Sequence, residues 1–468
     1  MASSDTSSGI AITGMACRFA GSDGLREFWL RILDGDPAFS DAPDGEALRF
    51  RSAATGIFNR VSTLRGGYLR ELWQVNAAAL GTQAGALAGM NPEQALALDL
   101  ANQAIRDAGY AEKRSLPRER TAVILGYAPY LDPGTVNWIQ QGLVVDQTLE
   151  LARRCFPHGG TQEFETLRAN LMRALPPFDS RSLTGLFHQM AVSRIAQRFD
   201  LQGAAYTIDA ESISTHAAVR AAMDELASGR ADLAIAGGIE GVLSPQLMMP
   251  FDSLGHLSRQ EVIHPFGREA DGTLLGEGGG LLVLKRADDA RRDGDRIYAL
   301  LRGVALSTCS HDKDHETGLA QAVERCHQQT GIAAGSLALI EAHGSGVPSQ
   351  DRSEIRALSA VLGGRDRPGA SVAIGSVKAL IGHCGFAAGA AGLIKAALGL
   401  YHRIIPPAQE AMHPHPQLKL GETPFYLNLQ PRPWVHNDAG QPRRAGVSAL
   451  AIGGLSAFAL LEQNPGDR

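Results

Sequence analysis

The chain has 468 residues, 44% of them hydrophobic and 20% charged, and 49 acidic against 44 basic side chains leave a net charge of −5. This is an ordinary globular balance that can bury a large core, and it offers no basic face of the kind nucleic acids select. No uncharged apolar stretch reaches the ~18 residues of a membrane span, and Met1–Asp5 lacks the basic start and apolar run of a signal peptide, so a cytoplasmic protein is expected.

In chain order, short apolar runs at Ile10–Thr13, Ala122–Leu125, Ala231–Ala236, Gly280–Leu284, Tyr298–Leu301, Leu337–Ile340, Val372–Ile374 and Ala457–Leu461 predict strands buried on both faces. Helical period recurs between them, over Glu93–Ala108, Thr215–Ser228, Gly318–Gln329, Asp351–Leu362 and Ala387–Leu400. Such alternation predicts an α/β protein with parallel sheets covered by helices. The length would suit about three domains of ~150 residues, but no Gly/Ser- or Pro-rich linker divides the chain, so two intimately packed halves are expected. The stretch Asp132–Phe178 is too long for a simple connection. Helical periods over Val144–Arg154 and Thr161–Ala174 predict a small helical excursion there, either a packing elaboration or a lid for a partner or substrate.

Five cysteines, Cys17, Cys155, Cys309, Cys326 and Cys384, show no metal-like pairing, and their odd number argues against a closed disulfide framework. There is no Gly-rich dinucleotide fingerprint after a strand, so neither a metal nor a redox cofactor is expected.

The chemistry concentrates in three places. Ser212 stands in Thr207-Ile208-Asp209-Ala210-Glu211-Ser212-Ile213-Ser214, at the mouth of a predicted helix, where an isolated serine would ordinarily be an N-cap. His343 lies in Glu341-Ala342-His343-Gly344-Ser345-Gly346, and His383 ends Gly375-Ser376-Val377-Lys378-Ala379-Leu380-Ile381-Gly382-His383. Taken singly, the histidines read as buried structural groups and Lys378 as a solvated cation. Together, a hydroxyl, two imidazoles and a lysine in this order resemble the site of a β-ketoacyl synthase, the condensing enzyme of fatty-acid and polyketide assembly. The resemblance runs from Gly9-Ile10-Ala11-Ile12-Thr13-Gly14 to Arg444-Ala445-Gly446-Val447-Ser448. Between them come Asn91-Pro92-Glu93-Gln94, His264-Pro265-Phe266, Ala270-Asp271-Gly272, Gly276-Glu277-Gly278 and Ile405-Pro406-Pro407. A weaker likeness, in Leu175-Pro176-Pro177-Phe178 and Ser193–Leu201, is to synthase domains of large iterative systems such as those for enediynes and polyunsaturated fatty acids.

The resemblance implies a thiolase-like fold layered α-β-α-β-α, with two similar halves spanning 9–286 and 287–464. It implies that Ser212 occupies the place of a catalytic cysteine. A helix N-terminus lowers a thiol pKa but cannot ionise a serine, so Ser212 needs a base, and the histidines are the available ones. In the family the two histidines stabilise an enolate, and a lysine supporting the second pairs with a glutamate. Lys378 and Glu354 match these places. Ser345 would contact a phosphopantetheine arm, although Val347 stands where another hydroxyl is usual. Ile452, in Ala451-Ile452-Gly453-Gly454-Leu455-Ser456, replaces a gating aromatic, and its N–H would share an oxyanion hole with that of Ser212. Glu211 puts a carboxylate where a small residue normally abuts the nucleophile; it is free to face solvent, pair with an arginine or orient a histidine.

The function so implied is transfer of an acyl group through Ser212 from a carrier-protein or CoA thioester. Two alternatives are a non-elongating partner resembling a chain-length factor and a malonyl-carrier-protein decarboxylase that makes starter units. An acyl carrier protein is the implied partner, reached through a local basic patch. A homodimer, or a heterodimer with a ketosynthase, is the implied assembly.

Overall fold

The computed structural model describes residues 9–53, 57–69, 90–110, 115–128, 131–309, 315–363, 370–408, 413–435 and 441–465. Two sets of five strands repeat one topology. The first comprises β1 (Ile10–Phe19), β2 (Thr121–Gly126), β3 (Ala205–Ile208), β4 (Leu233–Glu240) and β5 (Gly278–Arg286), standing in the order β3-β2-β4-β5-β1. The second comprises β6 (Ala299–Thr308), β7 (Leu339–Glu341), β8 (Val372–Gly375), β9 (Arg444–Ala451) and β10 (Leu455–Glu462), standing as β8-β7-β9-β10-β6. In each set the three strands farthest from the junction are parallel and the last two pair antiparallel. A short pairing of Ile10–Ile12 with Ala299–Leu301 joins β1 to β6, and Phe425–Leu427 adds an edge strand to β8.

The sheet is therefore mixed, where helix–strand alternation had predicted parallel pairing alone. Parallel neighbours arise where a helix carries the chain across, as the helix Ser214–Ala227 leads from β3, on one side of β2, to β4 on its other side, each parallel to β2. The antiparallel pair β9–β10 instead closes through Ile452-Gly453-Gly454, where φ of +90° and +80° at the two glycines makes the reversal.

Strand alternation divides the apolar residues into separate cores. Val123 and Leu125 of β2 join Leu96, Leu100 and Ile105 of the helix Pro92–Asp107, whereas Ala122 and Ile124 face inward with Ala218, Val219 and Leu226 of the helix Ser214–Ala227. The second set repeats this with the helix His315–Thr330 outside and Ala388–His402 inside. Every residue from Ala388 to Leu400 is buried, as expected of a helix that is apolar on all sides. The layers run helix, strands, a central pair of helices, strands, helix.

The central pair meets at Gly389. A Cβ there would lie 2.7 Å from Nδ1 of His216 and 2.9 Å from Cβ of Thr215. Thr215 also donates its hydroxyl to the carbonyl of Phe386 at 2.7 Å, tying the starts of the two helices together.

Within Asp132–Phe178 the chain forms the two expected helices, Val145–Cys155 and Thr161–Ala174, and a further one, Pro133–Ile139. Their outer surface is exposed at Trp138, Leu143, Leu151 and Phe156, while Asp132 anchors the base by accepting from Asn91 at 2.7 Å. No helix among the described residues is long and apolar enough to cross a membrane.

Gly389→Ala gains about 1 kcal/mol of helix propensity but overfills the contact at a cost of about 1–3 kcal/mol. The expected net result is a lower thermal midpoint, followed by circular dichroism; an unchanged or raised midpoint would show that the helices part without penalty.

Candidate active site

Ser212 lies in a single tight turn, Glu211–Ile213, between β3 and the helix Ser214–Ala227. It is not that helix's N-cap, since the N-cap position is Ile213 and Ser214, not Ser212, bonds the preceding backbone by accepting from Ala210 N–H at 2.8 Å. The Ser212 hydroxyl is free for other use. It is buried, donates to Oε1 of Glu211 at 2.5 Å, and lies 3.3 Å from Nε2 of His383.

His383 follows the short helix Lys378–Ile381 and starts the second central helix through Gly385–Ala387. Its backbone is clamped on both sides, the N–H donating to Leu274 O at 2.7 Å and the carbonyl accepting from Gly276 N–H at 3.1 Å. His343 lies just beyond β7, with its ring centroid 5.3 Å from that of His383. Glu354 fixes this loop by accepting from His343 N–H at 2.7 Å, Gly344 N–H at 2.8 Å and the Ser448 hydroxyl at 2.7 Å.

The ring nitrogens settle what the histidines can do. Nδ1 of His383 accepts from Gly385 N–H at 3.2 Å, and Nδ1 of His343 accepts from Leu450 N–H at 3.2 Å. Each ring therefore carries its proton on Nε2 when neutral. Burial, reinforced by Lys378, pushes His383 down to about 3 and His343 well below its usual range. Both imidazoles are neutral donors at physiological pH. His383 thus gives a hydrogen bond to Ser212 Oγ, contrary to the expectation that a histidine would take the serine proton.

Glu211, not a histidine, accepts the hydrogen bond of the Ser212 hydroxyl. Its backbone stands at φ +50°, a left-handed conformation that costs a non-glycine residue about 1–2 kcal/mol. Its carboxylate meets the Ser212 hydroxyl through Oε1 and the Ile452 N–H through Oε2, at 3.1 Å. Burial raises its pKa, against the opposing pull of these hydrogen bonds and of Lys378. The N–H of Ile452, expected to await an oxyanion, is held by a carboxylate of the same chain.

Lys378 and Glu354 form no ion pair among the described residues. Burial lowers the lysine pKa, and the charges that oppose this most are Glu341 first and Glu354 second. Glu341 in turn pairs with Lys395 at 2.6 Å and accepts from Val377 N–H at 2.7 Å, so it holds the loop that carries Lys378. Ser345 donates its hydroxyl to Gln350 at 2.7 Å, facing the same small chamber as Ser212, His343 and His383. Cys384 is no substitute nucleophile, because burial pushes its thiol pKa far up.

Sequence reasoning passed over several buried acids. Glu277 accepts from Leu69 N–H and Leu243 N–H, Asp351 from Phe266 N–H and Gly346 N–H, and Glu93 from Val242 N–H. Glu240, the last residue of β4, accepts from Phe386 N–H at 2.9 Å. The available signal was a carboxylate closing the otherwise apolar Ala236-Gly237-Gly238-Ile239-Glu240. Next to the chamber that Ser212 lines, and sharing Glu211, Phe251, His383 and Ile452 with it, a cavity of about 350 Å3 opens between Glu211, Glu240, Leu247, Phe251, Phe386 and Ile452.

A serine and a neutral imidazole at the starts of paired central helices, with a second neutral imidazole beside them, make a thiolase-like site. Residues 7–290 match the β-ketoacyl synthase N-terminal domain and residues 298–411 its C-terminal domain; the chain belongs to the β-ketoacyl synthase family. It is 31% identical over 463 residues to a phenolphthiocerol/phthiocerol polyketide synthase of Mycobacterium tuberculosis, covering 97% of this chain and 27% of that protein. Erythronolide synthase EryA3 of Saccharopolyspora erythraea is 32% identical over 461 residues, with 97% of this chain and 13% of the relative covered. The chain thus spans about a quarter or less of these relatives. Among solved structures it resembles the ketosynthase from module 6 of the bacillaene synthase of Bacillus subtilis 168, at a TM-score of 0.80 and 25% identity, over 97% of this chain and 72% of that one. The oxazolomycin ketosynthase domain OzmH KS7 of a Streptomyces albus strain gives a TM-score of 0.81 and 26% identity, over 98% and 74%.

The buried acids fix the direction of pH-dependent stability. Burial raises Glu93, Glu277 and Asp351 to about 7 and Glu240 to about 8, so each holds its proton in the fold at pH values where the unfolded chain has lost it. Stability from such groups is complete below the unfolded carboxylate range and is lost as pH rises through their folded values. The depressed histidines act oppositely, but only below about 6.5. A thermal midpoint that falls steadily from pH 6.5 to pH 9 is expected, and a flat profile would contradict these protonation states.

Proposed function

We propose that this ketosynthase-family chain transfers acyl groups through Ser212, with Glu211 as the base and the two histidines as hydrogen-bond donors. The observation that carries the reading is the 2.5 Å hydrogen bond from the Ser212 hydroxyl to Glu211, beside a cavity large enough for an acyl chain. Ser212 Oγ attacks the thioester carbonyl carbon while its proton passes to Glu211 Oε1. The carbonyl electron pair moves onto oxygen; collapse breaks the C–S bond, and the departing sulfur takes the proton back from Glu211. An ester on Ser212 and a free thiol result.

Charge moves favourably during this step. Protonation neutralises Glu211, so its hold on the Ile452 N–H weakens as negative charge develops on the substrate oxygen. The same N–H can then turn to that oxygen, and His383 steadies the alkoxide as it forms. An oxygen ester is a poorer donor to a carbanion than a thioester, so an alcohol, amine, thiol or water is the favoured second acceptor. That the relatives are named polyketide and erythronolide synthases supports a role in polyketide assembly, and the substrate is proposed to ride on the phosphopantetheine of an acyl carrier protein or on CoA.

A second reading is favoured by the Nε2–H donors of His343 and His383. Two neutral donors on adjoining rings suit the enolate left when a malonyl thioester loses carbon dioxide, a reaction in which Glu211 would merely fill the acyl position.

Variants separate the two. Under acyl transfer, Ser212→Ala abolishes the covalent adduct seen by intact-protein mass spectrometry with acyl-pantetheine thioesters, and Glu211→Gln slows its formation by about 10²–10⁴-fold. The acylation rate should rise with pH through a pKa above the ordinary carboxylate range, because only ionised Glu211 accepts the proton. Under decarboxylation, carbon dioxide release survives Ser212→Ala and Glu211→Gln but is lost in His343→Ala and His383→Ala. Full-rate adduct formation by Glu211→Gln would overturn the assigned base.

A further inference from the structure

The cavity next to the Ser212 chamber has an unusual charge distribution. Leu243, Leu247, Phe251, Leu275 and Phe386 give it apolar walls, yet the acids Asp209, Glu211 and Glu240 line it too, and its one imidazole, His383, is neutral. Glu240 is 8% exposed and is the deepest-set of these acids. One oxygen, Oε2, is bound by Phe386 N–H, which fixes the carboxyl plane. The other, Oε1, has no hydrogen-bond partner among the described residues and belongs to a side chain that lines the cavity. Gly385 makes room for this arrangement, since a Cβ there would stand 1.9 Å from Glu240 Oε2.

No basic side chain answers this carboxyl group. Among the described residues no Lys, Arg or His forms an ion pair with Glu240, Glu93 or Glu277, and the neighbours that act on Glu240 electrostatically are the acids Glu211, Glu93 and Glu277. Burial of a carboxyl group in apolar surroundings is costly unless a partner arrives. A ligand that brought a positive charge to Oε1 would favour the ionised carboxylate and gain a charge-assisted hydrogen bond. A purely hydrocarbon chain would leave Oε1 unpartnered and shut away from water, a loss with no return.

We infer that the cavity takes an acyl chain ending in a basic nitrogen, an ammonium or guanidinium group seated on Glu240. The inference rests on the acyl-transfer reading of Ser212 for the route by which the chain enters, while the charge preference belongs to the cavity itself. Its apolar walls accommodate the methylene stem and its inner end the cation, in the manner of long basic side chains that bury their stems and place their charge on a polar group.

Two measurements keep this inference distinct from the proposed function. The first is calorimetric binding of amide analogues of ω-aminohexanoyl- and hexanoyl-pantetheine to Ser212→Ala, which cannot be acylated at that position. The amine-tipped analogue is expected to bind about tenfold or more tightly than the hydrocarbon one. Adding Glu240→Gln should erase that difference, and Glu240→Asp should keep part of it. The second is adduct formation on the unmodified chain with the corresponding thioesters, in which the amine-tipped chain should load preferentially. Equal affinities, or a difference that survives Glu240→Gln, overturn the cationic pocket even if both thioesters acylate Ser212. Selective binding of the amine with no adduct on Ser212 upholds the pocket and overturns acyl transfer.

Discussion

The site depends on two buried helices beginning side by side. Ser212 precedes Ser214–Ala227 and His383 precedes Ala388–His402, and these helices hold equivalent places after the third strand of their respective sets. Their approach is set by Gly389, whose missing side chain admits Thr215 and His216, and by the Thr215 hydroxyl on the Phe386 carbonyl. Residues 171 positions apart are thereby brought to 3.3 Å. Two helix N-termini converging on one point also concentrate partial positive charge where a thioester carbonyl would gain negative charge.

Around this junction, carboxylates buried in the interior act as clips for loop backbone. Glu354 gathers the His343 loop, Asp351 the Phe266 and Gly346 turns, and Glu341 the Val377 loop while paired with Lys395. Such groups are poor sources of net stability, because desolvation offsets much of what the hydrogen bonds return. Their effect is geometric. Removing one partner from the buried Glu341–Lys395 pair costs about 3–5 kcal/mol, so the loop it holds has one arrangement far below the rest.

Most of the architecture was legible in the sequence, and for a simple reason. Long buried strands and helices carry their burial in composition: Ala122–Leu125 and Gly280–Leu284 fall inside β2 and β5, and Thr161–Ala174 is a helix with those bounds. The strands without a predicted run are β3, half exposed at its edge, and β9, whose Gly446, Ser448 and Ala449 dilute the apolar signal. The repeat of one topology across both sets was invisible, because strand order is a property of pairing and the two sets share little residue pattern. At the site, Ser212, His343 and His383 were identifiable and do come together. The direction of their hydrogen bonds was not, since it is decided by Gly385 N–H and Leu450 N–H, backbone groups that no residue name reveals.

Glu211 illustrates how one substitution next to a reactive group can redistribute several roles. A thiol at a helix start can be ionised by its surroundings, leaving the backbone N–H groups free for an oxyanion and the histidines free for the second substrate. A hydroxyl cannot, and under the proposed acyl transfer a carboxylate one residue earlier would supply a proton acceptor as well as a resting occupant for the Ile452 N–H. The left-handed backbone at Glu211 is the conformational cost of bringing that carboxylate back over its own neighbour. The raised pKa follows from the same placement: a carboxylate buried beside Glu240 makes a stronger base than one in water, and its neutral form relinquishes the N–H more readily. In the proposed mechanism, base strength, oxyanion binding and the acidity of the adjoining cavity are thus consequences of one buried carboxyl group, and they change together when it is protonated.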